Sequence, residues 1–206
     1  MRVWAVVVAG GSGARYGARK QLEPLGGARV VDHAVAALAP HVAGTVLVVP
    51  GDLVADDLPG DVVVAGGATR SASVRRGLAV VPDDAEVILV HDGARPLVPS
   101  AVVERVLAAL AAGADGAVPV VPVTDSLRTR EGRPVDRDSV VAVQTPQGFR
   151  APVLRAAHAG GGDASDDATL VDGAGGRVVH VDGDPGNLKI TVPADLILAE
   201  VLLHDR

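Results

Sequence analysis

The stretch VWAVVVAGGSGARYGARKQL, residues 3–22, joins a short apolar run to a glycine-rich segment that carries three cationic side chains, Arg15, Arg19 and Lys20. The β-branched run predicts a buried strand. Glycine has no Cβ and tolerates positive φ, so it lets backbone amide groups approach a ligand, and the cations neutralise negative charge. The stretch therefore predicts a strand followed by a phosphate-binding loop.

The alternation that begins here continues along the chain. Short β-branched runs recur as TVLVV, DVVVA, EVILV and GAVPVV. Other stretches have the apolar spacing of helices that pack on one face: VVDHAVAAL, SASVRRGLAVV, PSAVVERVLAALAA and VPADLILAEVLLH. Continuous apolar strands interleaved with helices indicate a sheet that is buried on both faces. The sequence therefore predicts the α/β class, a three-layer fold around a mostly parallel twisted sheet, as one domain over residues 1–206.

One region departs from this pattern. Residues 122–143, PVTDSLRTREGRPVDRDSVVAV, are polar and charged around a turn signal at 131–134, with β-prone segments on either side. They predict a β-hairpin arm that projects from the sheet. Two interpretations of the arm remain open at this point: it grips another subunit, or it is a mobile surface hairpin.

Composition and charge exclude several classes of partner. The net charge is −6 and aromatic residues make up only 1%, so neither a basic surface for duplex nucleic acid nor stacking platforms for single strands are expected. The chain has no cysteine, which excludes disulfides and thiolate metal sites. The N-terminal apolar run is too short to span a membrane and lacks a leader-like cleavage pattern. We therefore expect a cytoplasmic protein without nucleic-acid or membrane partners.

Three interpretations of the glycine-rich loop compete. Gly11, Gly13 and Gly17 have nearly the spacing of dinucleotide folds, but no acidic residue follows a second strand at the expected distance. A Walker-type loop requires Ser or Thr after the lysine, whereas Gln21 follows Lys20. A nucleotidyltransferase loop around a nucleoside triphosphate explains both the glycines and the cations, because fixed cations stabilise the charge that builds up at an attacked α-phosphorus.

Three further loops follow predicted strands at the same edge of the sheet. They are GGATRSAS (66–73), VHDGARP (90–96) and QTPQGF (144–149). Any one of them is explained by an ordinary tight turn. In the second loop Asp92 directly follows an apolar strand, where a carboxylate can hold a magnesium-bound water or a substrate hydroxyl. The histidines lack the spacing of a metal pair on a helix, and His91 is expected to pack beside Asp92.

Taken together, these motifs resemble a known enzyme family. Residues 9–22, GGATRSASV, VHDGARP, VDRD, TPQ, SDDA and NLKIT occur in the order and approximate spacing of the 2-C-methyl-D-erythritol 4-phosphate cytidylyltransferases. These enzymes make CDP-methylerythritol and pyrophosphate from CTP and 2-C-methyl-D-erythritol 4-phosphate in the non-mevalonate isoprenoid route. The resemblance implies a nucleotide-diphospho-sugar transferase-like variant of the Rossmann fold, a Mg²⁺ requirement, and a homodimer in which the arms are exchanged.

The resemblance also implies three groups of site residues. The catalytic cations are Arg15, Lys20, Arg137 and Lys189, of which Arg137 is lent to the neighbouring subunit. The nucleotide-binding residues are Ala9, Gly10, Gly11, Ser12, Gly13, Gly66, Arg70, Ser73 and Asp92. The residues that bind the second substrate are Asp92, Arg95, Ser126, Thr145 and Ser165. No direct metal ligand is implied, and Asp92 is expected to reach a metal only through water.

Two departures from the family pattern stand out, and two other functions remain open. The family usually has proline where Arg19 stands, and often has an acidic residue where Ala68 stands. The nearest alternative is a pentitol phosphate cytidylyltransferase acting on ribitol 5-phosphate, which shares the glycine loop and the lysine that follows it. The more distant alternative is a non-catalytic nucleotide-binding protein on the same fold.

Overall fold

The computed structural model describes residues 1–11, 16–17 and 19–204. The strands are β1 (Val3–Val8), β2 (Pro24–Leu25), β3 (Ala28–Arg29), β4 (Gly44–Val49), β5 (Val62–Ala65), β6 (Val87–Asp92), β7 (Gly116–Pro122), β8 (Leu127–Arg128), β9 (Pro134–Val135), β10 (Val141–Val143), β11 (Gln147–Arg150) and β12 (Val178–Asp182). The helices are α1 (Val30–Leu38), α2 (Arg70–Leu78), α3 (Ser100–Ala111), α4 (Ala151–Ala159), α5 (Asp167–Gly173) and α6 (Pro193–His204).

A main sheet organises the described part of the chain. Its order is β10-β7-β11-β6-β1-β4-β5, and β12 pairs with β7. Strands β6, β1, β4 and β5 pair in parallel, as do β7 and β12, whereas β11 and β10 run antiparallel to their neighbours. The predicted fold class, an α/β fold with a mostly parallel sheet, is confirmed.

The first strand shows how the sequence builds two cores. Successive side chains of a strand point to opposite faces of the sheet. Val3, Ala5 and Val7 therefore pack on one face with α1 and α3, and Trp4 and Val6 pack on the other face with α2, α4 and α5. All five side chains are buried. Helices on both faces make the three layers.

Several elements were not predicted from the sequence. Strand β11 lies between β6 and β7 and runs against both. Its sequence, QGFR, has neither β-branched residues nor an alternating pattern. Gly148 is required there by packing, because a Cβ would come within 2.4 Å of Val106 Cγ1 on α3. The tertiary contact, which a local pattern does not show, makes this segment a strand.

The C-terminal helix forms as predicted but does not pack on one face as expected. In α6 only Ala199 is buried, while Ile197, Leu198 and Val201 are exposed. Apolar residues surround the axis of this helix, so no single contact surface can cover all of them. Ala199 belongs to a small cluster with Leu25 and Ile190, and this cluster holds α6 beside the β2–β3 hairpin.

The polar region between β7 and β10 forms a small hairpin of its own. Strands β8 and β9 pair antiparallel as a two-stranded sheet that is separate from the main one. Gly132 in its turn has a φ of +86°, which glycine adopts readily.

Every helix in the described part of the chain falls short of the length and hydrophobicity needed to cross a bilayer.

Candidate active site

A cavity of about 460 Å³ opens at the carboxyl ends of β1, β5 and β6. This edge is where open α/β sheets bind ligands, and the volume is typical of small-molecule sites. Four segments that are distant in sequence line it, through Val8, Ala9, Gly10, Gly11, Tyr16, Lys20, Gln21, Gly67, Ala68, Thr69, Arg70, Ser73, Asp92, Ala94, Lys189 and Thr191.

The loop after β5 presents mainly backbone and small side chains to the cavity. The Ser73 hydroxyl accepts a hydrogen bond from the Gly67 amide at 3.1 Å and donates one to the Thr69 carbonyl at 2.9 Å. A Cβ on Gly67 would lie 2.5 Å from that of Ala72, so the tight turn needs glycine. Thr69 then caps α2 by accepting from the Ala72 amide, and this places the positive end of the helix dipole at the cavity.

Two lysine side chains enter the cavity from opposite ends of the chain. They are Lys20 and Lys189, the only two lysines among the 19 cationic residues of the sequence. The Lys189 ammonium donates to Asp92 Oδ2 at 2.6 Å, and the Lys20 ammonium donates to the carbonyl of Ile190 at 2.6 Å. Lys189 and the Ile190 carbonyl that binds Lys20 are adjacent in one loop, and the Ile190 amide of this loop donates to the Ala94 carbonyl at the sheet edge at 2.9 Å.

Asp92 lies among three positively charged side chains of this site. Besides Lys189, Arg70 Nε lies 3.5 Å from Asp92 Oδ1, and Arg95 Nε lies 4.0 Å from Oδ2. Burial by itself would raise the pKa of the carboxyl, but the charges of Lys189 and Arg70 outweigh it and lower the pKa to about 2. Asp92 is therefore ionised at neutral pH, and its side chain fixes where Lys189 lies.

A hydrogen-bonded chain behind Asp92 holds its backbone. The Thr145 hydroxyl oxygen accepts from the Asp92 amide at 3.0 Å and lies 3.0 Å from His91 Nδ1. His91 Nε2 lies 3.0 Å from the Arg95 carbonyl, which can only accept, so Nε2 carries the proton and Nδ1 accepts from Thr145. A neutral imidazole with its proton on Nε2 satisfies this network. Burial lowers the pKa of His91 to about 4, in agreement with that assignment.

This burial makes the stability of the fold depend on pH. Because the pKa of His91 falls from 6.5 to about 4 on folding, the unfolded chain takes up a proton first as the pH drops. The stabilisation is complete above pH 6.5 and is lost as the pH falls from 6.5 to about 4. We expect the protonation of His91 to lower the free energy of unfolding by about 3 kcal/mol as the pH falls from 6.5 to about 4.

Urea unfolding at about pH 7, 6, 5 and 4 measures this loss. In His91→Gln the free energy of unfolding should fall less steeply between pH 6.5 and 4 than in wild type, because glutamine does not titrate. The Asp92 carboxyl stays ionised in the folded protein, with a pKa of about 2, and adds to the loss only at about pH 4, where carboxyls of the unfolded chain begin to take up protons. Equal slopes for the two proteins would contradict the assignment.

Arg95 lies behind the cavity and does not line it. Its guanidinium donates to the Asn187 carbonyl at 2.6 Å and to the Val143 carbonyl at 3.3 Å. The Asn187 amide group in turn donates to the Thr145 carbonyl at 2.9 Å. Asn187 is fully buried and thus ties the Lys189 loop to two other segments of the site.

The structure brings most of the predicted site residues together. Those that line the cavity are Ala9, Gly10, Gly11, Lys20, Arg70, Ser73, Asp92 and Lys189, and Gly66 is next to the lining residue Gly67. Arg95 and Thr145 support Asp92 from behind. Ser126 and Arg137 lie on or beside the hairpin, and Ser165 lies at an exposed position before α5. Ser12, Gly13 and Arg15 lie outside the described residues.

Arg19 has a partner outside the cavity. Its guanidinium donates to Asp52 Oδ2 at 2.6 Å, and both side chains are about half exposed. The added charge is therefore directed to a surface ion pair beside the cavity, and Arg19 does not line the cavity.

Several residues of the site were not predicted from the sequence. Tyr16, Gln21 and Thr191 line the cavity, and Asn187 lies beneath it. The motifs NLKIT and SDDA contain Asn187, Thr191 and Asp167, but only one residue of each was assigned a role. The signal was present in those motifs, although the contacts themselves depend on segments that meet only in the folded chain.

The sequence matches a known protein family over nearly its whole length. The sequence profile of the family described as IspD, 2-C-methyl-D-erythritol 4-phosphate cytidylyltransferase, matches residues 3–205. The protein of that name from Rhodococcus jostii (strain RHA1) is 44% identical over 98% of this chain and 96% of its own length. A relative of the same name from Frankia casuarinae is 46% identical over 98% of this chain and 81% of its own.

A solved structure gives the same result. The crystal structure of 2-C-methyl-D-erythritol 4-phosphate cytidylyltransferase from Thermus thermophilus superposes with a TM-score of 0.85 at 39% identity, covering 99% of this chain and all of that one. The profile match, the identities and the shared fold all extend over nearly the whole length. The chain belongs to the 2-C-methyl-D-erythritol 4-phosphate cytidylyltransferase family and is a nucleotidyltransferase.

Proposed function

We propose that the cavity transfers CMP from CTP to 2-C-methyl-D-erythritol 4-phosphate, and that Lys20 and Lys189 stabilise the reacting phosphate. The observation that carries the proposal is the meeting of the only two lysines of the chain at one sheet edge. An ammonium group at each of two positions suits a site that must neutralise a triphosphate and a second phosphate. The family to which the chain belongs supplies the identity of both substrates.

The reaction needs no covalent intermediate with the enzyme. A phosphate oxygen of the second substrate attacks the α-phosphorus of CTP in line, a new P–O bond forms, and the bond to the β-phosphate oxygen breaks as pyrophosphate leaves. Negative charge builds up on the equatorial oxygens during this step. Lys20, Lys189 and Arg15 supply the opposing charge, and the backbone of the glycine-rich loop holds the nucleotide.

The donor set of the cavity limits how a magnesium ion is held. In the described residues the only carboxylate that lines the cavity is Asp92, and both of its oxygens face cationic side chains. The described segments contain no group of three or more side chains suited to hold a metal. This donor set fits a divalent ion bound chiefly by the triphosphate, with Asp92 reaching it through water. When bound, such an ion would neutralise charge on the triphosphate oxygens.

The hairpin arm supports a proposal about assembly. Arg137 follows β9, donates to the Thr124 carbonyl at 3.0 Å, and does not line the cavity of its own chain. Its side chain is half exposed. An exposed arginine on a protruding arm can bind a phosphate in a second subunit, and we propose a homodimer in which each arm completes the partner's site.

Mixing inactive subunits tests arm exchange. Arg137→Ala and Lys20→Ala homodimers should each be nearly inactive. A mixture of the two should recover up to about a quarter of wild-type activity, because half of the subunits form mixed dimers, each with one intact site. Subunit exchange is verified by native mass spectrometry with differently tagged chains. Confirmed mixed dimers without recovered activity would contradict arm exchange.

The proposed reaction is tested by pyrophosphate release. We expect release only with CTP among the four nucleoside triphosphates, and with 2-C-methyl-D-erythritol 4-phosphate in preference to ribitol 5-phosphate. If ribitol 5-phosphate were the better substrate, the chain would be a pentitol phosphate cytidylyltransferase. Binding of CTP without release of pyrophosphate in the presence of either acceptor would indicate a non-catalytic nucleotide-binding protein.

The proposed substrates also bear on where the protein acts. CTP is a nucleotide of the cytoplasm, and its use supports the expected cytoplasmic location. Fractionation of cells that express the tagged chain tests this directly.

A further inference from the structure

A buried ionic chain extends from the cavity into the protein beyond the residues assigned above. It begins at Arg70, the first residue of α2, whose side chain is largely buried and lines the cavity. Arg70 Nη1 donates to Asp167 Oδ2 at 2.7 Å, while Nε lies 3.5 Å from Asp92 Oδ1. Two carboxylates therefore hold one guanidinium group from two sides.

Asp167 is fully buried, and both of its oxygens have partners. Oδ2 accepts from Arg70, and Oδ1 accepts from His158 Nε2 at 3.0 Å. The Asp167 amide donates to Gln147 Oε1 at 3.2 Å, so the backbone is held as well. A buried carboxylate is costly unless it is paired and hydrogen-bonded, and this one has the partners that offset its burial.

This arrangement determines which edge of Arg70 remains available. Nη1 is directed to Asp167 and Nε faces Asp92, which leaves Nη2 as the guanidinium nitrogen for which the described residues provide no acceptor. The guanidinium is planar, so fixing two nitrogens fixes the direction of the third. Because Arg70 lines the cavity, this donor is suited to an anionic oxygen of a bound nucleotide.

We propose that Asp167 is a positioning residue for nucleotide binding, which acts by holding Arg70 so that Nη2 donates to the bound CTP. His158 supports it by fixing the second carboxylate oxygen. The inference rests on the proposed function only in naming CTP as the nucleotide. It gives the second acidic residue of the SDDA motif a role distinct from that of Ser165.

A purely structural role and a positioning role for the Asp167–Arg70 salt bridge lead to different expected results. A bridge that only stabilises the fold would lower the unfolding temperature and leave the affinity for CTP unchanged. A positioning residue changes that affinity through Arg70, so its effect disappears once Arg70 has been removed. A double-mutant cycle separates the two roles.

The cycle compares wild type, Asp167→Asn, Arg70→Ala and the double variant by calorimetric titration with CTP and Mg²⁺. Asparagine preserves the shape of the side chain but loses the charge that orients the guanidinium. We expect the Kd of CTP to rise about tenfold in Asp167→Asn, with KM for CTP rising in parallel and kcat changing less than about threefold. In the Arg70→Ala background the same substitution should leave Kd unchanged.

Asp172→Asn is the matched control. Asp172 lies on the same helix as Asp167 and is exposed. The substitution removes the same charge at a position without contact to Arg70, so the Kd of this variant for CTP should equal that of wild type. If Asp167→Asn does not fold, His158→Gln tests the same chain of contacts from its far end and should raise Kd about threefold.

An unchanged Kd in folded Asp167→Asn, or equal increases with and without Arg70, would overturn the proposal. So would an unchanged Kd in His158→Gln if the first variant does not fold. The titration needs no second substrate. A wild-type enzyme that binds CTP but does not use 2-C-methyl-D-erythritol 4-phosphate would therefore contradict the proposed function and leave the positioning role testable.

Discussion

Replacing Lys189 by alanine is expected to lower kcat by about two to three orders of magnitude at saturating CTP. The substitution removes one of two ammonium groups in the cavity and also releases Asp92 from its closest partner, at 2.6 Å. The carboxylate, left with only the more distant Arg70 and Arg95, would then add less fully compensated negative charge near the reacting phosphate. Both effects oppose the build-up of charge on the equatorial oxygens of the α-phosphate. Steady-state release of pyrophosphate measures the loss.

The substitution should leave the fold intact. Lys189 is partly exposed, and Asp92 retains Arg70 and Arg95 as neighbours. Circular dichroism and the midpoint of thermal unfolding provide the check. In the double variant Lys189→Ala with Asp92→Asn, part of the lost rate should return, because the carboxylate that has lost its closest cationic partner is removed as well. Turnover within about threefold of wild type in Lys189→Ala would exclude this lysine from the chemistry.

Lys20→Ala is expected to show a loss of similar size, about two to three orders of magnitude in kcat. Lys20 is held against the Ile190 carbonyl at 2.6 Å, so its ammonium lies beside the loop that carries Lys189. A neutral side chain at this position leaves the triphosphate with one fewer fixed cation. The measurement is again kcat at saturating CTP and Mg²⁺, with KM for CTP determined in the same series.

The neighbouring residue provides a matched control. Arg19→Ala removes a positive charge one position away, but that charge is already paired with Asp52 and does not line the cavity. We expect its kcat to remain within about twofold of wild type, because an exposed ion pair contributes little. Equal losses in the two variants would mean that the general charge of the loop matters and that Lys20 has no specific role.

The sequence predicted the central strands and several helices well. Strands β1, β4, β5, β6 and β7 coincide with the apolar runs, because a strand buried on both faces must be apolar throughout. Helix α6 was predicted, but its packing was not. Strand β11 was missed, since its few small and polar residues become a strand only by filling the space between β6 and β7.

The residues of the site also divide into those that the sequence could indicate and those that only the folded chain reveals. The glycine-rich loop with Lys20 and the residue Asp92 could be selected from residue type and position after predicted strands, whereas Lys189 was indicated only by the resemblance of the NLKIT motif to the family. Asp167, His158 and Asn187 could not be selected in that way. Each is a buried polar residue whose role depends on a partner in another segment of the chain. Residue type alone does not distinguish such a residue from a solvated side chain.

The sequence by itself determined the class of fold, the edge of the sheet at which the cavity opens, and the cations of the glycine-rich loop. These follow from local rules, because apolar periodicity sets strands and helices and glycine sets where backbone can approach a ligand. The tertiary structure decided that Lys20 and Lys189 share one cavity, that Asp92 holds Lys189, and that Asp167 contacts Arg70. Those arrangements arise only when the order of strands brings distant loops together, where burial makes each charge require a partner.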